Sequence, residues 1–136
     1  MLRAVRRRCI ALAVPAAMLA LAACGSGGPT DEQLVARAVT AFGRATAAKD
    51  YRALCARILA PSLIEQVTSI GLPCEKALER GLGGVRSPRL TLGAVTVDGD
   101  RATAEVRTAA ANQAPSRDTL RLEKVRGAWR VASLAQ

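Results

Sequence analysis

Cys9, Cys24, Cys55 and Cys74 are the side chains best able to do chemistry in this chain, and no histidine is present to assist them. Without imidazole there is no Ser-His-Asp or Cys-His pair, no commonest general base and no usual zinc or iron ligand. Cys55 and Cys74 stand too far apart for a Cys-x-x-Cys metal or redox pair. The aspartates all have structural uses: Asp31 lies at a helix start, Asp50 caps a helix, Asp98 and Asp100 flank a turn glycine, and Asp118 heads a strand. Tyr51 is the only phenol and has no second donor to pair with. The run Gly81–Gly84 lacks the Lys-Ser/Thr that completes a phosphate cradle and reads as a flexible link. These residues assign no catalytic position, no cofactor site and no metal site.

The position of Cys24 is more informative than its reactivity. Arg3, Arg6, Arg7 and Arg8 precede an uncharged stretch from Cys9 to Ala23, the order of an export signal. That stretch is shorter than the ~20 apolar residues a membrane span needs, and Pro15 interrupts it. Ala22 and Ala23 would satisfy ordinary signal cleavage, with Cys24 incidental. "LAAC", Leu21 to Cys24, also resembles the lipobox of bacterial lipoproteins. The resemblance implies that residues 1–23 are a signal peptide and that Cys24 becomes the first residue of the mature chain, carrying a diacylglyceryl thioether. Two acyl chains attach a protein stably where one holds it only marginally. "GSGGPT" then reads as a flexible tether, so 24–30 is lipidated linker and 31–136 the folded domain. The expected location is the extracytoplasmic face of the cell membrane.

With Cys9 in the signal and Cys24 on lipid, Cys55 and Cys74 allow one pairing. An oxidising compartment favours a disulfide between them, two buried free thiols being the alternative. The chain carries a net charge of +9, and the four signal arginines account for four of those charges. The remaining bases are scattered, which suits contact with anionic lipid or wall polymer but also an ordinary solvated surface. Nucleic acid is not an expected partner, because an exported chain with one Phe, one Trp and one Tyr offers no stacking platform.

The elements that must position these residues follow from period and capping. Thr30 and Gln33 form a capping box for a helix with Leu34, Val35, Ala38, Val39, Phe42 and Ala45 on one face. Asp50 caps a second helix, "YRALCARILA", with Leu54, Cys55, Ile58 and Leu59 inward and Pro61 as its stop. Ser62 and Glu65 suggest a capping box for a short third helix. "CEKALER" gives a fourth, ended by Gly81, so a Cys55–Cys74 bridge would staple the second helix to the last. From Arg89 the period becomes two, and the inward phase switches at Gly93 and Ala94, which predicts a β-bulge. "DGD" turns the chain into "RATAEVRTA", and "DTLRLEKV" and "AWRVASL" follow around Arg126 and Gly127. Glu105, Arg107, Arg121 and Glu123 fall on the polar phase, either as cross-strand ion pairs or as an arginine-lined face for an anion. Helices followed by an antiparallel meander make the class α+β, with N-terminal helices packed on a curved sheet of about four strands.

The opening helix, "AKDYRALCARILAP", "VTVDGDRATAEV" and "GAWRVASL" together resemble the nuclear transport factor 2-like superfamily. The likeness is to its small exported lipoprotein members of actinobacterial type. It implies a cone-shaped fold with a pocket at the wide end, which Phe42, Tyr51 and Trp129 could line, each also serviceable as plain core. Catalytic members use a pocket carboxylate or histidine with paired donors, none of which transfers to a position here. The expectation is therefore a non-catalytic, membrane-anchored envelope module that binds a small apolar ligand or an envelope protein. An isomerase- or cyclase-like enzyme using a single pocket carboxylate is the alternative, and a homodimer is among the partners the resemblance allows.

Overall fold

The computed structural model describes residues 27–134. The signal segment, Cys9, the lipobox and Cys24 lie outside the described residues. Gly27 to Thr30 run exposed and without regular structure into α1, Asp31–Ala47. The capping box forms as its residue types dictate: Thr30 N donates to Gln33 Oε1 at 3.0 Å, and Gln33 N donates to Thr30 Oγ1 at 3.3 Å. Val35, Val39, Phe42 and Ala45 form the buried stripe.

The second helical region departs from a plain helix. Asp50 caps it, its Oδ1 accepting from Ala53 N at 2.9 Å, but α2 covers only Tyr51–Ala53 before the coil widens to a π-turn over Leu54–Ile58. Leu59 N donates to Leu54 O at 2.9 Å across five residues, and Ala60 N then donates to Val131 O at 2.8 Å. The sheet thus competes for the backbone at Leu59 and wins, since a wider turn lets both Leu54 and Leu59 reach the interior. Pro61 consequently starts the next helix rather than stopping this one: α3 is Pro61–Thr68, with proline in the first turn, where its missing N–H costs nothing. The expected Ser62 cap does not form. Ala60 holds the N-cap position, and Ser62 Oγ instead donates to Glu123 Oε1 at 3.0 Å. In α4, Cys74–Leu82, Gly81 lies inside the helix and Gly83 ends it.

Four antiparallel strands follow in the order β1-β2-β3-β4: β1 Arg89–Asp98, β2 Arg101–Ala110, β3 Gln113–Val125 and β4 Ala128–Ser133. The sheet curls without closing. Its register slips between Leu92 and Val95, between Thr108 and Ala110, and between Arg121 and Leu122, so every strand pair carries a bulge that bends it. The first slip is the one predicted at Gly93 and Ala94. β3 starts at Gln113 rather than Asp118, and Pro115 is accommodated because it sits beside the second slip, where the ladder is already broken. Asp118 therefore lies within the strand.

α1, the π-turn and α3 pack on the sheet, and α2 and α4 pack against these helical pieces. The core joins Val35, Val39, Phe42, Leu54, Leu59, Leu63 and Leu78 to Ala102, Ala104, Val106, Leu120, Leu122, Trp129 and Val131. Ala102 and Ala104 are small enough to let α1 lie close across the middle strands. The convex face carries the polar phase, but its register separates the expected ion pairs: Glu105 faces Thr119, Arg121 faces Thr103, and Arg107 faces Arg117. Of these four only Glu123 stands opposite unlike charge, Arg101 on β2 and Arg130 on β4, and no ion pair forms between them.

Cys55 and Cys74 form a disulfide that joins the π-turn to the first residue of α4, Cα atoms 6.0 Å apart. It ties together two helical pieces too short to hold each other by apolar contact alone. No described helix is long and apolar enough to cross a membrane.

Candidate functional site: an apolar cavity at the open end of the sheet

Because the sheet curls past the last turn of α1, a cavity of about 230 Å³ remains between them. Its floor is Phe42 and Gly43 of α1, Val106 of β2 and Leu120 of β3; Leu82 of α4 and Leu90 of β1 close its sides. Gly43 is needed there. A β-carbon at that position would stand 3.2 Å from the Leu90 β-carbon, so glycine lets β1 approach the helix.

The rim is the loop 85–89 on one side and the β2–β3 turn on the other. Asn112 clamps the two: its Oδ1 accepts from Arg86 N and its Nδ2 donates to Gly84 O, both at 2.9 Å, and Ala111 N donates to Arg86 O at 2.8 Å. Lys49 Nζ adds a bond to Gly83 O at 2.7 Å. The glycine run expected to be a flexible link is thus held by hydrogen bonds from both directions. Asn112 was not singled out in the sequence, since an asparagine in a turn ordinarily bonds its own backbone.

Polar groups occupy one wall. Thr108 and Ser116, cross-strand partners that both line the cavity, share a hydroxyl contact of 2.7 Å. With one proton each, Ser116 donates to Asp118 Oδ2 at 2.6 Å and Thr108 donates to Ser116, the Thr108 oxygen standing 3.2 Å from the same carboxylate oxygen. The longer β3 is what brings this carboxylate, half-buried and on the inner phase, to the side of the cavity. Among the described residues Arg89 is the one ionisable residue in the lining. Its side chain makes no ion pair or hydrogen bond with any described residue.

Of the three aromatics expected to line a pocket, Phe42 does so and the other two are elsewhere. Tyr51 is half-buried beside Gly83, with its hydroxyl enclosed and without a partner. Trp129 is 7% exposed and packs in the core at the opposite end of the sheet. There its Nε1 donates to Asp31 Oδ1 at 3.0 Å, and Lys124 Nζ, 5.0 Å above the ring, pairs with the same carboxylate at 2.8 Å. Among the described residues no group of three or more cysteine, aspartate or glutamate side chains gathers as a metal site would require. The arrangement can hold a small apolar body against a wall that carries two hydroxyls, with one guanidinium-bearing residue at the rim.

Comparison with protein families, curated proteins and solved structures finds no match to this chain in any of the three.

Proposed function

We propose that this chain is a lipid-anchored protein of the extracytoplasmic membrane face, with a domain of nuclear transport factor 2-like type that binds a small apolar ligand without transforming it. The cavity at the open end of the curled sheet carries this reading. Its floor and sides are apolar, its rim is fixed by Asn112, and its size sets the ligand: about 230 Å³ is on the order of eight water volumes. That suits a molecule of roughly ten non-hydrogen atoms, below the ~300 Å³ at which drug-sized sites begin. Support for the anchor is the basic start, the uncharged run, "LAAC" and the glycine-rich stretch that leads into an exposed Thr30.

Two measurements test it. Intact mass of membrane-extracted protein should show a chain beginning at Cys24 with a diacylglyceryl addition, and Cys24→Ala should release the protein from the membrane fraction. Octan-1-ol should bind saturably, and Ala110→Phe, which fills the cavity from its rim, should abolish that binding while leaving the fold intact.

Asp118 favours a second reading, an isomerase- or cyclase-like enzyme with a single carboxylate base. One of its oxygens lies within hydrogen-bond distance of Thr108 and Ser116, two residues that line the cavity. Against it stand the absence of histidine and the distance of the only phenol, Tyr51, from the lining. Exchange of an activated C–H proton for deuterium in a bound ketone, lost in Asp118→Asn, would establish it.

A further inference from the structure

We infer that the occupant of the cavity is a small monoanionic amphiphile, with its apolar body inside and its acid on Arg89. This rests on the cavity being a ligand site. The lining holds one ionisable residue among those described, and that residue is a cation. The planar fork of donors on an arginine can hold a carboxylate through two bonds at once. Among the described residues Arg89 has no carboxylate partner, and its strand neighbour Ala109 cannot supply one. Being the first residue of the edge strand β1, it stands where the loop from α4 meets the mouth.

The rest of the electrostatics agrees on where the acid must sit. The carboxylate nearest the lining, Asp118, stands on β3, two strands away, and is taken up by Thr108 and Ser116. An acid at that wall would meet a like charge; at Arg89 it meets an unopposed cation. Arg86, on the same rim loop, adds positive potential without entering the lining. A neutral ligand of the same shape would gain the apolar burial alone, and a cationic one would be repelled at the mouth. The size argument then limits the class to acids with a short acyl chain or a single ring.

The test compares two probes of matched length, octanoate and octan-1-ol. Each is titrated by calorimetry at neutral pH into the full chain held in lipid nanodiscs, with empty discs as the partition blank. Octanoate should bind five- to tenfold more tightly than octan-1-ol, and Arg89→Gln should bring that ratio close to one, the loss falling on octanoate. Arg89→Lys, which keeps the charge without the fork, should retain part of the ratio. Arg89 is exposed and unbonded, so these variants should fold as the parent does. Octan-1-ol binding as tightly as octanoate, or a ratio indifferent to Arg89→Gln, overturns the inference and leaves the ligand site standing. Failure of both probes overturns the ligand site and the inference together.

Discussion

Trp129 Nε1 donates to Asp31 Oδ1 at 3.0 Å, tying the first residue of α1 to the last strand of the sheet across 98 positions of sequence. Lys124 holds the same oxygen at 2.8 Å, so one carboxylate joins α1 to β3 and β4 through two donors. The Lys124 hydrogen bond, and after it the Trp129 bond, keep the Asp31 carboxyl below the ordinary carboxylate range.

A depressed folded value makes this contribution to stability full above the unfolded carboxylate range and progressively absent as acid titrates the group. Melting temperature should therefore fall as pH drops below about 5, and more steeply in the parent than in Asp31→Asn. The variant keeps an acceptor for Trp129 but has no charge for Lys124, so it should melt lower at neutral pH and converge with the parent in acid. Parallel curves down to the acid limit would refute this role for Asp31.

Removing the bridge should be costly. For a separation of 19 residues, Cys74→Ser frees a loop whose closure is worth about 3 kcal/mol in the chain-entropy account. In a domain of this size the melting temperature should fall by about 10–20 °C. Reductant should do the same to the parent and nothing to the variant, as differential scanning calorimetry would show.

Asn112→Ala removes both side-chain bonds that clamp the rim. The expected loss is about 1–2 kcal/mol in urea unfolding. Because the clamp lies at the mouth, hydrogen exchange should quicken at residues 84–88 and 110–114 and stay unchanged in the Asp31–Trp129 region. Exchange quickening everywhere alike would show that the clamp serves the whole fold and not the rim.

The β3–β4 turn can be improved. Arg126 and Gly127 both take positive φ, 50° and 81°, a pair of conformations that suits Asn-Gly far better than Arg-Gly. Arg126→Asn should stabilise the domain by about 0.5–1 kcal/mol, since left-handed backbone costs most side chains about 1–2 kcal/mol and asparagine less. A lower denaturant midpoint for the variant would count against this account.

Local rules read most of the elements from sequence and missed what distant strands impose. The Thr30–Gln33 box, the Asp50 cap, the alternation of Ala102, Ala104 and Val106 and the slip at Gly93 each depend on neighbours a few residues away. The π-turn at Leu54–Ile58 does not: it exists because Val131 captures the chain at Leu59 and Ala60. That capture also turned Pro61 from an expected stop into a start and moved the cap from Ser62 to Ala60. The early start of β3 was hidden by Pro115, a residue that argues against a strand unless a bulge receives it. Of the site, Phe42 was legible from its helical stripe. Asn112, Arg89 and the Thr108–Ser116–Asp118 group were not, because their roles arise only where the β2–β3 turn meets the loop from α4.

The direction of α1 separates the cavity from the point where the chain enters the domain. Thr30 stands at one end of a 17-residue helix, about 25 Å long, and Phe42, Gly43 and Thr46 line the cavity towards the other. A body moored by the proposed flexible tether ahead of Thr30 would carry its opening a helix length from the attachment, able to swing towards water or towards headgroups.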